Sequence, residues 1–381
     1  MRFMRAALRL ARRNLGQTWP NPAVGSLIVS QDDRGGLHIT GMGATERGGR
    51  PHAERVALDR AGEDARGATC YVTLEPCAHH GRTPPCAQAL IDAGISRVMV
   101  GVGDPDSRVA GTGIGMLRAA GIRVETGILA AQAALVSAGH ILRVRENRPF
   151  VTLKMALTAD GMFAGRIPSE IAITGEETRA YVHMMRARHD AVLTGRGTVE
   201  TDDPQLTCRL PGMADRSPVR VILDSRFSIS SDIAMFAGGP PVWVAGLAAH
   251  SDNAGALEAA GARIIGIEGE AGRPGIAGVL RALAGEGITR LMVEAGGELG
   301  EAFLASGLVD EIVIARSPRT FAEIAPDAGE GRALPQLAAL AESSGAGAYE
   351  RVSTFTRGAD TLTILRRKGL IAALLAHCQP S

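Results

Sequence analysis

The chain has 381 residues, and 41 Lys and Arg against 40 Asp and Glu give it a formal net charge of only +1 at pH 7. This charge lacks the basic footprint of a nucleic-acid-binding protein. Hydrophobic residues make up 45% and charged residues 21%, which excludes a disordered chain, and the length allows two or three domains with developed cores. We therefore expect a small-molecule substrate and no nucleic-acid partner.

The first 146 residues alternate between segments typical of strands and segments typical of helices. This order predicts a three-layer α/β domain in which helices cover a mixed sheet. The predicted strands are Val24–Val29, Ala68–Leu74 and Arg97–Val102. The predicted helices are Phe3–Leu15, His52–Ala61, Cys86–Ala93, Thr112–Ala120 and Ala130–Val144.

A candidate metal site lies in this domain. His52 opens a predicted helix, and Cys77 and Cys86 follow in the order found in zinc hydrolases. One imidazole and two thiolates leave a fourth coordination position open, as in catalytic zinc (Zn²⁺) sites, where the metal lowers the pKa of water. Glu54 is not needed as a ligand and is placed to transfer protons. The set predicts hydrolysis.

The segment between the two cysteines narrows the substrate class. It has eight residues, 78–85, whereas nucleic-acid and nucleoside deaminases commonly have two at this place. The loop brings His79, His80 and Arg82 beside the metal, and their donors suit a phosphate ester. Two alternatives stay open: a nucleic-acid or nucleoside deaminase with the same zinc chemistry, and a structural zinc with Cys70 as fourth ligand.

A domain boundary is predicted near residues 146–149, where Glu, Asn, Arg and Pro separate the last helix from a new strand. The predicted domains are therefore residues 1–146 and 149–368. The second half predicts a parallel α/β nucleotide-binding sheet. Its predicted strands are Phe150–Ala156, Ala191–Thr194, Val219–Asp224, Val242–Val244, Arg263–Ile265 and Arg290–Val293.

Gly296 and Gly297 stand between the last of these strands and a helix predicted over Glu301–Ala305. Glycines let a phosphate approach the backbone, and a helix N-terminus offers free amides with a favourable dipole. A tight strand-to-helix turn explains the pair equally well, since the sequence has no Gly-x-Gly-x-x-Gly fingerprint. The glycine pair alone is therefore weak evidence for a nucleotide site, and it needs support from other segments of the sequence.

The five cysteines show no disulfide pattern and favour a reducing compartment. The first 14 residues lack the continuous apolar core of a signal peptide, and no run of about 18 apolar residues predicts a membrane span. We therefore expect a cytoplasmic protein without a membrane partner. We also expect it to form a homo-oligomer.

Several segments of the first domain resemble the bifunctional deaminase/reductase family of riboflavin biosynthesis. They are Asn21–Gly25, Pro51–Glu54, Leu74–Cys77, His80–Cys86 and Asp104-Pro105. The resemblance implies a cytidine-deaminase-like domain in which His52, Cys77 and Cys86 bind zinc and Glu54 is the proton shuttle. It further implies that a phosphorylated pyrimidine substrate is held by Asn21, His79, Arg82 and Asp104.

Residues 198–209 resemble the reductase half of the same family, which is related in fold to dihydrofolate reductase and uses NADPH. The cofactor site implied by the resemblance consists of Leu157, Thr198, Asp202, Ser225, Gly296, Gly297, Glu298, Leu299, Gly300, Glu301 and Ala302. The implied substrate contacts are Arg186, Leu206, Arg209 and Glu294. Lys154 lies near the expected reaction centre and has no assigned role.

Two segments of the reductase half differ from the family pattern. Residues 167–172 replace a Ser-Gly-Glu-Ser-x-Trp run, so family contacts are not carried over to Glu170 and Ala172. Ser317–Thr320 replaces a Lys-Leu-Leu-Gly type of sequence. A deaminase with an impaired or non-catalytic reductase domain therefore stays open as an alternative.

By resemblance, the chain is expected to catalyse two steps. The first domain replaces the 2-amino group of a diaminohydroxyphosphoribosylaminopyrimidine with oxygen and releases ammonia. The second transfers hydride from NADPH to the open-chain ribose carbon and produces a ribityl amine. Zinc, hydrolysis and a nearby anion site are the parts that the residues themselves support.

Overall fold

The computed structural model describes residues 1–78, 84–106, 109–163, 172–270, 272–326, 332–333, 340 and 347–379. The chain forms two compact units, one made of Met1–Arg148 with Ile371–Ser381 and the other of Pro149–Leu370. The first unit is therefore discontinuous in sequence, because C-terminal residues join the N-terminal part of the chain.

The first unit contains a five-stranded sheet in the order β2-β1-β3-β4-β5. Strand β1 is antiparallel to both of its neighbours, whereas β3, β4 and β5 are parallel to one another. The predicted mixed sheet is thus confirmed, with β2 and β5 as two strands that were not predicted. The strands are β1 Gly25–Gln31, β2 Leu37–Ala44, β3 Thr69–Leu74, β4 Arg97–Val102 and β5 Arg123–Glu125.

Helices cover both faces of this sheet. A Cβ on Gly25 would lie 2.0 Å from the carbonyl oxygen of Ala7 in α1, and one on Gly43 would lie 2.0 Å from that of Ala53 in α2. Gly43 pairs with Ser26, and successive strand residues point to opposite faces, so the two helices lie on opposite sides. The helices are α1 Arg2–Arg13, α2 Ala53–Ala61, α3 Cys86–Asp92, α4 Thr112–Ala119, α5 Ala130–Val136 and α6 Ala138–Glu146.

The single helix predicted over Ala130–Val144 is wrong, because the structure has two helices there. Ser137 separates α5 from α6 with φ −87° and ψ 4°, which is outside the α-helical range. The apolar periodicity continues through this break, since Ala133, Ala134, Ile141 and Leu142 are all fully buried. The apolar pattern of the sequence therefore does not indicate the break between α5 and α6.

The second unit contains a nine-stranded sheet in the order β11-β10-β9-β8-β14-β6-β15-β18-β17. The strands from β11 to β15 in this order are parallel, as predicted, but β18 and β17 add an antiparallel end. The two antiparallel strands at that edge were not predicted. The strands are β6 Phe150–Leu157, β8 Ala191–Gly195, β9 Val219–Leu223, β10 Val242–Leu247, β11 Arg263–Ile267, β14 Arg290–Glu294, β15 Glu311–Arg316, β17 Tyr349–Arg357 and β18 Asp360–Arg367.

Two small antiparallel strand pairs also lie among the described residues of the second unit. They are β7 Met162–Phe163 with β16 Arg332–Ala333, and β12 Gly269–Glu270 with β13 Arg273–Pro274. The helices are α7 Glu176–Arg186, α8 Arg196–Asp202, α9 Gly255–Ala259, α10 Ile276–Gly285, α11 Gly297–Ala305 and α12 Phe321–Ile324. A further helix, α13 Leu370–His377, begins where the second unit ends.

The core of the second unit runs across its parallel strands. Val192, Ile222, Val244 and Met292, from four strands, are fully buried in one hydrophobic cluster. Burial of both sheet faces explains why these strands read as short continuous apolar runs in the sequence. Within the described parts of the chain, no helix has the length and apolar character needed to cross a bilayer.

Candidate active sites

His52, Cys77 and Cys86 converge in the first unit. His52 is the N-cap of α2, Cys86 is the first residue of α3, and Cys77 follows the end of β3. The Nδ1 atom of His52 lies 3.7 Å from the Sγ of Cys77 and 3.4 Å from the Sγ of Cys86. All three candidate ligand atoms lie within 4.8 Å of one another.

These distances fit zinc. A tetrahedral zinc with bonds of about 2.0–2.1 Å to nitrogen and about 2.3 Å to sulfur separates N and S ligands by about 3.6 Å. The backbone N–H of Cys86 donates to the Sγ of Cys77 at 3.3 Å, which stabilises a thiolate. Cys70 instead contacts the Ser26 hydroxyl at 3.5 Å, and the cluster of the described residues does not include it. The geometry favours three protein ligands and an open position.

The two thiols of this cluster differ in acidity. The hydrogen bond from Cys86 and the neighbouring His52 together lower the pKa of Cys77 to about 4, although burial opposes this change. The same contact with Cys77, together with burial, raises the pKa of Cys86. One proton is therefore shared between two neighbouring sulfurs. A divalent cation can take the place of that proton, because metal binding requires deprotonated thiols.

Glu54 lies in the first turn of α2 beside the metal cluster and is only 4% exposed. Burial raises the pKa of Glu54 to about 7, while the neighbouring His52 opposes this effect. A carboxyl group with such a pKa can both accept and donate a proton near neutral pH. It is therefore a suitable general acid–base next to the candidate metal.

Two other predicted substrate contacts are described. The Nδ2 of Asn21 donates to the carbonyl oxygen of Gly49 at 3.1 Å, so Asn21 packs against the turn that leads to His52. Asp104 follows the end of β4, which pairs with β3 in parallel, so it and Cys77 come from the carboxyl ends of adjacent strands. His79 and Arg82 lie outside the described residues.

Glu75 is a buried carboxylate in this unit that the sequence reasoning did not assign. It is 4% exposed and accepts backbone N–H groups from Asp104 at 3.3 Å, Gly111 at 3.1 Å and Ile114 at 3.2 Å. It therefore fixes the segment that carries Asp104. Its position directly after the buried strand β3 is the feature of the sequence that could have identified Glu75 as a buried carboxylate.

The second unit has a cleft of about 1340 Å³ at the carboxyl ends of its parallel strands. Gly195 from β8, Leu223 from β9 and Glu294 from β14 are among its lining residues. Ligands of open α/β sheets bind at this edge. The volume exceeds that of a typical pocket for one small ligand, so it accommodates a dinucleotide and a substrate together.

Most of the predicted reductase-site residues line this cleft. Of the predicted cofactor contacts, Thr198, Asp202, Ser225, Gly296, Gly297, Glu298, Leu299 and Ala302 are at its surface. The other three predicted cofactor contacts, Leu157, Gly300 and Glu301, are not among the described residues that line the cleft. Leu157 is fully buried, and a Cβ on Gly300 would lie 3.4 Å from Met155. The Thr198 hydroxyl accepts the Gly296 N–H at 3.2 Å and holds the start of α11.

The four predicted substrate contacts of this unit, Arg186, Leu206, Arg209 and Glu294, also line the cleft. Arg186 and Glu294 form a bidentate ion pair, with Nε–Oε1 2.6 Å and Nη2–Oε2 2.9 Å. Although burial opposes it, the charge of Arg186 lowers the pKa of Glu294. Burial lowers the pKa of the neighbouring Lys154, while Glu294 opposes that change. Two basic side chains, Arg186 and Lys154, therefore lie near the single carboxylate of Glu294.

Basic residues dominate the cleft as a whole. Seven basic and four acidic residues line it, which favours a phosphorylated ligand. Several of the basic residues were not assigned from the sequence, because single arginines scattered over separate loops show no spacing pattern. They are Arg179, Arg196, Arg226 and Arg273.

The two divergent segments are placed differently. Residues 167–171 lie outside the described part of the chain. In the other segment, Ser317 is 1% exposed and its N–H donates to the Leu157 carbonyl at 2.8 Å, while Thr320 caps α12. No described residue of 317–320 lines the cleft. This divergence therefore affects a packed turn and not the cleft surface.

Two family models match the two parts of the chain separately, and the second match begins at residue 149, where the second unit of the fold begins. The family model described as "Cytidine and deoxycytidylate deaminase zinc-binding region" matches residues 1–102, and that described as "RibD C-terminal domain" matches residues 149–334. The chain is 42% identical to the riboflavin biosynthesis protein RibD of Bacillus amyloliquefaciens, covering 81% of this chain and 82% of the relative. It is 36% identical to RibD of Escherichia coli, covering 90% and 93%.

Solved structures agree with these matches. RibD of Acinetobacter baumannii superimposes with a TM-score of 0.80 at 34% identity, covering 96% of this chain and 98% of that one. A protein of Thermotoga maritima superimposes with a TM-score of 0.78 at 33% identity over the same shares of both chains. The latter is described as a diaminohydroxyphosphoribosylaminopyrimidine deaminase and 5-amino-6-(5-phosphoribosylamino)uracil reductase.

Proposed function

The chain belongs to the RibD family and is a bifunctional deaminase and reductase of riboflavin biosynthesis, and we propose how its residues divide the two reactions. The predicted domain 1–146 deaminates diaminohydroxyphosphoribosylaminopyrimidine. The predicted domain 149–368 then reduces the ribosyl group of the product to ribityl. The description of the Thermotoga maritima relative supports both substrates.

In the deaminase, His52, Cys77 and Cys86 hold zinc, which when bound acts as a Lewis acid and lowers the pKa of water. Glu54 accepts a proton from water and donates it to the ring nitrogen. It then accepts a second proton, from the hydroxyl added to the ring carbon, and donates it to the leaving amine. Its burial beside His52 favours this two-way transfer, since neither protonation state is strongly preferred near pH 7. Asn21, His79, Arg82 and Asp104 orient the pyrimidine and its phosphate.

In the reductase, NADPH supplies the hydride when it is bound. The first turn of α11, with Gly296, Gly297 and the Thr198 contact, offers backbone amides to a phosphate of the cofactor. Asp202, the last residue of α8, and Ser225, two residues after the end of β9, line the same cleft. Arg186, Leu206, Arg209 and Glu294 contact the phosphorylated sugar, with the ion pair of Arg186 and Glu294 fixing both side chains.

The observation that carries the proposal is the convergence of one imidazole and two thiols beside a buried carboxylate. Incubation of the zinc-loaded protein with the pyrimidine substrate, followed by mass analysis, tests it. Without NADPH we expect a product one mass unit heavier and free ammonia, because an amino group is replaced by a carbonyl oxygen. With NADPH we expect a further gain of two. An unchanged substrate mass in both arms contradicts the proposal.

We further propose that the protein acts in the cytoplasm as a homo-oligomer. All five cysteines are free thiols, which suits a reducing compartment. Light scattering coupled to size exclusion tests the oligomer. A mass of 39.6 kDa, that of one chain, contradicts it.

A further inference from the structure

We propose that the C-terminal helix α13 is a positioning element of the deaminase site, because it braces the turn that carries Asp104. The inference rests on the proposed function, in which Asp104 contacts the pyrimidine. Residues from Ile371 onward belong to the first unit although they follow the second unit in sequence. Leu374 is fully buried and Cys378 is 7% exposed, so the helix and its end are packed elements.

Two contacts anchor the end of α13 to α6. The Nε of Arg145 donates to the carbonyl oxygen of His377 at 3.2 Å, and the Nε2 of His377 lies 3.2 Å from Glu146. The same helix α6 presents His140 to Asp104, with Nε2 3.5 Å from Oδ1. The C-terminus and the Asp104 side chain are therefore held by one helix.

The C-terminal residues also pack closely against Gly103, the neighbour of Asp104. A Cβ built on Gly103 would lie 2.6 Å from the carbonyl oxygen of Cys378, a backbone atom that cannot rotate away. Only glycine therefore allows this approach. Glu75 also holds this turn, because it accepts the N–H of Asp104 at 3.3 Å.

Glu75, His140 and Cys378 thus each contact Asp104 or the glycine before it. It is 8% exposed, and its backbone follows directly after β4. A carboxylate that orients a substrate must be fixed before binding, since loose side chains lose affinity to ordering. Removing the C-terminal brace should weaken substrate binding and leave the zinc chemistry intact.

A pair of changes tests this coupling: a chain that ends at Leu370, and Gly103→Ala in the full chain. We expect each to raise the deaminase KM by roughly ten-fold, with kcat within about two-fold and zinc content unchanged. In the shortened chain Gly103→Ala should add less than about two-fold, because the carbonyl it would strike is gone. Gly115→Ala is the matched control, since a Cβ there meets nothing within 4 Å.

An unchanged KM in the shortened chain overturns the inference, and so does an equal effect of Gly103→Ala at both chain lengths. If the shortened chain loses its zinc, the full-chain comparison decides, and equal KM values for Gly103→Ala and Gly115→Ala then reject the brace. A wild-type protein that releases no ammonia refutes the proposed function instead. Reductase activity of every variant, measured with deaminated substrate, reports on the integrity of the second unit.

Discussion

Glu54 shows how much a single residue of this chain depends on its surroundings. Its carboxyl group is 4% exposed and lies in the first turn of α2, next to the N-cap His52. Burial disfavours its charge, and the positive end of the helix together with His52 favours it. These opposing effects leave Glu54 able to exchange a proton at the pH of the cell.

Glu54→Gln is expected to keep zinc and lose ammonia release by at least about 100-fold, because an amide cannot accept and return the proton. Ammonia release under substrate saturation and zinc content by elemental analysis measure the two properties. Glu63→Gln, an exposed change in the same unit, is the control and should retain both. Ammonia release at the wild-type rate by Glu54→Gln contradicts the assigned role.

The sequence anticipated individual residues best where chemistry restricts them. One His and two Cys residues in this order were enough to predict that His52, Cys77 and Cys86 would meet, and their candidate ligand atoms lie within 4.8 Å of one another. The ion pair of Arg186 and Glu294 could not be predicted, because residues 108 positions apart have no local pattern that links them. The three backbone donors to Glu75 are equally long-range.

At the level of elements, His189 connects the end of α7 to the central strand β6. Its ring is buried, with Nδ1 2.7 Å from the Met185 carbonyl oxygen and Nε2 3.0 Å from the Thr152 hydroxyl. The first contact requires Nδ1–H as donor, and the second is satisfied when Nε2 accepts from the hydroxyl. A neutral ring meets both requirements.

Burial lowers the pKa of His189 to about 3. The unfolded chain binds this proton below about pH 6.5 and the folded chain does not, so stability is full above about 6.5 and falls between about 6.5 and 3. From pH 7.5 to 5.5 we expect the wild type to lose about 1.4 kcal/mol more than His189→Gln. The free energy of unfolding is measured by urea titration of both proteins in a Trp19→Phe background, so that the fluorescence of Trp243 reports on the second unit alone. Equal losses in both proteins contradict this.

Element prediction succeeded where an apolar run coincides with one element. Strand β4 was predicted at its observed bounds, Arg97–Val102, because turn residues flank it. Helix α11 begins at Gly297, four residues before the predicted Glu301, since glycines have poor helix propensity and the Gly296 cap is a tertiary feature. Strand β2 was missed because only one edge of it is paired and its first three residues are exposed.

For the whole molecule, the two units carry separate chemistry in separate sheets. The metal cluster lies entirely in residues of the first unit, and the basic cleft lies entirely in residues of the second. The division near residue 149 is visible in the sequence as a polar, Pro-containing segment. The sequence does not indicate that residues from Ile371 onward belong to the first unit, because the pattern of an eight-residue apolar helix does not specify the surface on which it packs.

Removal of zinc should therefore affect one activity only. After treatment with a chelator we expect no ammonia release, whereas NADPH binding by fluorescence and reduction of supplied deaminated substrate stay at their untreated levels. Restoring zinc should restore ammonia release, because all three ligand residues are carried by elements of the first unit, the starts of α2 and α3 and the segment after β3. Loss of both activities would show that the metal supports the fold as a whole.

Zinc K-edge X-ray absorption on the reduced, chelator-free protein determines whether His52, Cys77 and Cys86 bind the metal as proposed. We expect one zinc per chain with two sulfur ligands at about 2.3 Å, one imidazole nitrogen and one further light atom. No bound zinc, or a shell of three or four sulfurs that brings in Cys70, would contradict the proposed zinc site.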